Sequence, residues 1–130
     1  SLRARIVELR TLEDGDTVSY GATYRVRGER RIATVACGYA DGYRRSLGIR
    51  GFALVHGRRV PVAGVVTMDM TMLDVTGLSC HVGDVATLIG RDGDELLDVN
   101  TVARLAELSP YEILVGLKLR VPRRYAGGEA

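Results

Sequence analysis

From Leu2 to Arg10 apolar and polar positions alternate, with Leu2, Ala4 and Ile6 on one side, until the register slips near Val7. A period of two predicts a strand with one buried face. Gly15 and its flanking acids make a loop. Tyr24–Arg27 and Ile32–Cys37 follow on either side of a turn at Gly28-Glu29, which predicts paired strands. Phe52–His56 and Arg59–Ala63 flank Gly57 and predict a second hairpin, with Pro61 favouring an edge because it has no N–H to donate. Further strands are expected at Gly64–Thr67, Thr71–Val75 and Val85–Ile89, the last bracketed by turns at Gly83-Asp84 and Asp92-Gly93.

The period then changes. Asn100–Leu108 places Val102, Leu105, Ala106 and Leu108 on one helical face, with Asn100 as the candidate N-cap. Ser109-Pro110-Tyr111-Glu112 is a second helix start: Ser to cap, Pro at the first position, Glu as the capping-box partner. Leu117–Val121 returns to strand alternation, and Gly127-Gly128 marks a frayed end. Gly38–Gly51 fits no period; its four glycines, three arginines and two tyrosines suit a long binding loop. The expected fold is mainly β: a small barrel or sandwich with one or two short helices near the C-terminus, in a single domain over residues 1–130.

Composition narrows the classes. With 46% hydrophobic and 26% charged residues the chain is globular in type, and no stretch approaches the roughly 20 apolar residues that span a bilayer. No signal-peptide pattern is present, although the chain opens with Ser1 rather than Met, so that absence carries little weight. The net charge of +2 is spread over scattered pairs such as Arg30-Arg31 and Arg58-Arg59, which read as solvated faces rather than a nucleic-acid stripe. Neither nucleic acid nor membrane is expected as a partner. Cys37 and Cys80 are too few for a disulfide framework or a zinc site, and Cys37 lies in an apolar run as a buried thiol, which is compatible with cytoplasm.

Of the 18 basic residues only Lys118 is a lysine. Chemistry that needs a lysine has one candidate here or takes its lysine from elsewhere. There is no phosphate loop, no nucleophile elbow and no histidine pair at metal spacing; His56 and His81 stand alone beside turns, and no metal site is expected. The tyrosines stand out: Tyr20 precedes Gly21, Tyr39 follows Gly38, and Tyr111 sits in the first turn of the second helix. Such a Tyr beside Gly often only packs on a sheet. To act as an acid or base its pKa, ordinarily near 10, must fall, which takes nearby positive charge or hydrogen bonds to the phenolate.

Val18-Ser19-Tyr20-Gly21-Ala22-Thr23-Tyr24, Gly38-Tyr39-Ala40-Asp41-Gly42, Thr67-Met68-Asp69-Met70 and Arg120-Val121-Pro122-Arg123 follow one another in an order that resembles the C-terminal domains of alanine racemases. Val82-Gly83-Asp84, Leu88-Ile89-Gly90 and Gly93-Asp94-Glu95 strengthen the likeness, which runs from about Arg3 to Tyr125. The resemblance implies a homodimeric isomerase that interconverts L- and D-alanine and supplies D-alanine for peptidoglycan precursors. It also implies an N-terminal β/α barrel, absent from this chain, which holds pyridoxal phosphate on a lysine. Tyr20 then matches the second acid/base, serving the face of the substrate opposite that lysine. Met68 matches the position whose backbone meets the substrate carboxylate, with Asp69 beside it at the pocket wall. Tyr39 matches a tyrosine lining the substrate site, Arg45 an entrance arginine, and Tyr111 a tyrosine that bonds the cofactor phosphate and narrows the entrance.

Two features depart from the family pattern. The cofactor lysine is missing, since Lys118 stands where the family attaches nothing, so these residues alone are expected neither to hold pyridoxal phosphate nor to racemise. Many members also carry a basic residue shortly before the Met-Asp pair, where this chain has Val65-Val66-Thr67. The alternatives are a racemase for another small amino acid such as serine, a β-barrel that binds RNA, and a non-catalytic dimerisation module.

Overall fold

The strand expected at the start of the chain forms as β1 (Leu2–Leu12), and the slip at Val7 is a bulge. Ile6 stands opposite Val35 and Glu8 opposite Thr34, so Val7 is the extra residue and turns outward, half exposed. The bulge marks a change of partner. Before it, Leu2–Arg5 run antiparallel to β8 (Val85–Asp92); after it, the strand runs antiparallel to β4 (Arg30–Val35). One strand thereby serves two neighbours and bends the sheet around the core.

The computed structural model describes residues 1–15, 17–18, 24–25, 28–41, 43, 47–48, 51–64 and 66–115. Within these, β5 (Phe52–Val55), β6 (Arg58–Pro61) and β7 (Thr71–Asp74) complete an antiparallel sheet of order β6-β5-β8-β1-β4-β7, and β9 (Glu95–Leu97) pairs with the end of β8. β6 and β7 are the two ends of this path. They meet at one bridge, Val62 opposite Leu73, supported by Ala63 N–H donating to Met72 O at 2.8 Å. The sheet is therefore strongly curved and not closed along its length. The mainly β expectation stands.

The hairpin of β5 and β6 matches its sequence reading. Val55 faces Arg58 across a two-residue turn in which His56 and Gly57 both have positive φ (50° and 73°), the turn whose twist suits paired strands. Pro61 lies on an edge strand, where its missing donor costs nothing.

Three expectations fail. The run before Gly28 does not pair with the run after it: β3 (Tyr24–Arg25) pairs with β2 (Thr17–Val18), while both edges of β4 are occupied, by β1 and β7. Gly64–Thr67 forms no strand among its described residues; Val66 is buried because it packs into the core as a connector, not because it belongs to a ladder. The first helix, α1 (Val99–Ala106), starts two residues earlier than expected. Its N-cap is Asp98, which accepts from Thr101 N–H at 2.8 Å, and not Asn100, which lies inside the helix. The second helix, α2 (Pro110–Val115), keeps its predicted cap, with Ser109 Oγ accepting from Glu112 N–H at 3.2 Å. Leu117–Val121 and Gly127-Gly128 lie outside the described residues.

Burial explains why β4 shows no alternation. Ala33 and Val35 face the main core with Ile6, Leu54, Leu73, Leu88, Leu97 and Ile113, whereas Ile32 faces Leu12 and Ala63 on the other side. A strand covered on both faces reads as a continuous apolar run. α1 closes the core with Val102, Ala103 and Ala106. Cys37 and Cys80 are buried free thiols within it. Several arginines secure loops: Arg31 donates to Leu78 O and Cys80 O at 3.2 and 2.9 Å, and Arg5 donates to Gly83 O at 2.8 Å. No helix among the described residues is long and apolar enough to cross a membrane.

Candidate functional site

Beyond β4 the chain leaves the sheet at Cys37 and turns through a 3₁₀ helix, Tyr39–Asp41. Asp41 is buried, and its Oδ2 accepts from Gly38 N–H at 3.0 Å. Gly38 O in turn accepts from Asp41 N–H at 3.0 Å and Tyr43 N–H at 3.3 Å. The second element is the Thr67–Met70 turn that leads into β7. Thr67 closes it on itself: its N–H and hydroxyl both donate to Met70 O at 2.9 Å, and its hydroxyl oxygen accepts from Met70 N–H at 3.1 Å.

The two turns are joined by backbone. Tyr39 N–H donates to Thr67 O and Ala40 N–H to Met68 O, each at 2.9 Å. The approach is so close that only glycine fits at position 38. A Cβ there would fall 2.6 Å from Met68 O and 2.7 Å from its carbonyl carbon, and would also collide with Thr67 O. Behind the first turn, the buried Thr71 of β7 donates its hydroxyl to Cys37 O at 2.6 Å.

Three of the sequence-predicted site residues, Tyr39, Met68 and Asp69, are thus brought together on one exposed rim; Tyr39 is 41% and Met68 53% exposed. Peptide planarity fixes what that rim offers. In a trans peptide the C=O and the following N–H lie on opposite edges. Anchoring Thr67 O to Tyr39 therefore turns Met68 N–H away from that contact, and Met68 N–H has no hydrogen-bond partner among the described residues. The rim so presents a backbone donor on a turn docked against the one that carries Tyr39, and such a donor is able to orient a small carboxylate.

Tyr111 stands in the first turn of α2 and is 74% exposed, with its phenol directed to no buried environment. Tyr20 and Arg45 lie outside the described residues, as does Lys118. Tyr43, the second tyrosine of the loop, takes no part: it is buried, and desolvation, aided by neighbouring Cys37, pushes its phenol well above the usual range. It keeps its proton. Among the described residues no group of three or more His, Cys, Asp or Glu converges as a metal site. A separate open groove lined by Arg3, Val85, Thr87, Arg91, Asp92 and Gly93 contains none of the predicted site residues.

Sequence reasoning quoted Gly38 and Asp41 but gave them no role, and it placed Thr71 only in a strand. A glycine outside any turn that needs positive φ was the available signal for Gly38. Asp41 and Thr71 carry no signal of their own, because a buried capping carboxylate and a buried hydroxyl look like loop and strand residues in sequence.

The fold is a curved antiparallel sheet capped by two short helices, with Tyr39 and Met68 exposed on one rim. The family model described as "Alanine racemase, C-terminal domain" matches residues 1–125, and this chain belongs to that family. It is 46% identical over 129 residues to the alanine racemase of Symbiobacterium thermophilum, covering 98% of this chain and 34% of that protein. It is 48% identical over 124 residues to the alanine racemase of Deinococcus radiodurans, covering 95% and 34%. Among solved structures it resembles alanine racemase from Bacillus anthracis with bound L-Ala-P (TM-score 0.90, 40% identity, 98% of this chain and 33% of that one). Alanine racemase from Bartonella henselae with covalently bound pyridoxal phosphate is also similar (TM-score 0.88, 30% identity, 95% and 34%). The chain thus spans about a third of the length of the relatives it matches.

Proposed function

We propose that this chain is the C-terminal part of an enzyme that interconverts L- and D-alanine in the cytoplasm, supplying D-alanine for cell-wall precursors. In this reading it acts with an N-terminal barrel in a homodimer, its rim closing on the partner subunit's barrel. The observation that carries the reading is the docked pair of turns, which brings Tyr39, Met68 and Asp69 together and leaves Met68 N–H without a partner among the described residues, in a chain of this family. The exposure of Tyr39, Met68 and Met70 supports a second body there, since apolar groups gathered at a rim gain by being covered. Two buried free thiols suit a reducing compartment.

Pyridoxal phosphate, when bound, delocalises the electron pair left on the substrate's Cα after its proton is removed. The donor set here fits a contribution to that cofactor rather than its attachment. Tyr111 offers an exposed phenol O–H suited to a phosphate oxygen, whereas the chain's single lysine, Lys118, stands where the family attaches nothing, so we assign the attaching amine to the barrel. Met68 N–H, with Tyr39 beside it, binds and orients the substrate carboxylate. Asp69 forms the adjoining wall, and Arg45 lies toward the entrance. Tyr20 holds and moves a proton on the face of Cα opposite the barrel lysine. Inversion requires this second group, because a proton returned to the face it left regenerates the starting enantiomer.

The test is Tyr20→Phe in the enzyme carrying both domains. General acid–base catalysis contributes roughly 10²–10⁴-fold, so racemisation falls by at least about a hundredfold while cofactor absorbance stays unchanged. In D₂O, one enantiomer still exchanges its α-proton for deuterium without inverting, because the barrel lysine still serves its own face. Wild-type rates in both directions overturn the role of Tyr20. Running serine alongside alanine in the same assay separates the two substrates.

A further inference from the structure

Asp41 is a buried carboxylate that the proposed reaction does not use. Its side chain closes the turn by accepting from Gly38 N–H at 3.0 Å, and burial of such a group is tolerated only when hydrogen bonds replace its water. Gly38 O accepts from Asp41 N–H and Tyr43 N–H, so the same turn is closed from its carbonyl side. One residue earlier, Cys37 O is held by the hydroxyl of buried Thr71 at 2.6 Å, which fixes the turn to β7.

The turn then passes this placement on. Tyr39 N–H and Ala40 N–H take Thr67 O and Met68 O, two successive carbonyls of the neighbouring turn. Each bond sets one peptide plane, and the opposite edges of those planes carry Met68 N–H and Asp69 N–H. Asp41 therefore governs the direction of the Met68 donor through a chain of two backbone links.

We infer that Asp41 is a positioning residue for the substrate carboxylate: by locking Gly38 it aims Met68 N–H, and its loss weakens carboxylate binding more than it slows turnover. The inference rests on the proposed contact between Met68 N–H and the carboxylate. A donor that is misaimed loses binding in ground and transition states alike, so KM rises while kcat holds.

The experiment uses the enzyme with both domains and propionate as probe, a carboxylate of alanine's size without the amine. In Asp41→Ala, the inhibition constant of propionate and the KM for alanine rise together by about tenfold, below the roughly hundredfold that a 1 Å misplacement costs, and kcat changes less than about threefold. Asp41→Asn, whose amide oxygen still accepts from Gly38 N–H, recovers binding to within about threefold of wild type. Leu97→Val, a core change remote in the fold, lowers Tm without moving the propionate constant. An Asp41→Ala enzyme with wild-type propionate binding and KM overturns the inference, as does equal loss in Asp41→Asn and Asp41→Ala. Should Asp41→Ala not fold, Thr71→Val removes the anchor behind the same turn; unchanged propionate binding there overturns the inference too. If propionate fails to compete with alanine in the wild type, the carboxylate contact at Met68 falls, and the role of Asp41 with it.

Discussion

Gly38→Ala tests the contact on which the site depends. The substitution is not a matter of backbone freedom, because Gly38 does not have the positive φ that excludes other residues. It is a matter of space. The new methyl would stand 2.6 Å from Met68 O, against 3.4 Å for ordinary contact, so the two turns must separate by at least about 0.8 Å, and by more to clear Thr67 O. The bonds from Tyr39 N–H and Ala40 N–H, now 2.9 Å, would then lengthen to about 3.7 Å or more, beyond hydrogen-bond range. Each is worth about 1 kcal/mol, and strain that the turns cannot relax adds a similar amount, for a total loss of about 2–3 kcal/mol. For a domain of this size 1 kcal/mol corresponds to roughly 3–5 °C, so Tm falls by roughly 6–15 °C. Thermal or urea unfolding of the chain measures the loss, and amide exchange locates it: the Tyr39 and Ala40 amides exchange faster while those of β1 and β8 keep their protection. A Tm within about 2 °C of wild type, with exchange unchanged at Tyr39 and Ala40, would refute the close approach and the docked-turn argument built on it.

Leu73, fully buried at the centre of β7 and opposite Ala33, is the matching probe of the core. Leu73→Ala should destabilise by about 2–5 kcal/mol through lost burial and the cavity left behind, and a urea midpoint shift worth less than about 1 kcal/mol would count against the packing described. Asp84 links three segments and gives a pH signature. Its carboxylate accepts from His56 Nε2–H and His81 N–H, both at 2.8 Å, and these bonds hold its pKa below the ordinary value, the His56 bond most. The folded value is depressed, so the stabilisation is present above the unfolded pKa near 3.9 and is lost as pH falls through the folded value. Asp84→Asn should therefore flatten the acid limb of the stability profile below about pH 4; an acid limb unchanged in that variant would exclude the coupling.

How far the fold was legible depended on whether a residue's neighbours were local. The slip at Val7, the His56-Gly57 turn and the Ser109 cap are all decided within a few residues, and each was readable as a break in period or a turn dipeptide. The pairing of β3 was not, because nothing in Tyr24-Arg25 announces that both edges of β4 are already taken by β1 and β7. The apolar residues of Gly64–Thr67 misled for a related reason: burial of Val66 follows from where the connector crosses the core, which sequence period cannot distinguish from a strand face. β9 escaped notice because a three-residue strand offers a single buried position, Leu97. Asp98 and Asn100 are both good N-cap types, and the choice fell to Asp98 once Val102 and Ala106 had to face inward.

The site follows the same division, with a consequence for how it was recognised. Ordered motifs picked out Tyr39, Met68 and Asp69, and the fold brings their two turns together through main-chain bonds. Groups of Tyr39, Ala40, Thr67 and Met68 make those bonds, and any residue but proline can supply such groups. What sequence can record of such a junction is only its exceptions: the position where no Cβ fits, Gly38, and the carboxylate that ties that position down, Asp41. The side chains at the rim are then free to be chosen for chemistry, because the placement of the rim is set by main-chain bonds and by Gly38 and Asp41. A substitution at Tyr39 or Met68 should for this reason change what is bound, whereas one at Gly38 or Asp41 should change where the binding groups stand.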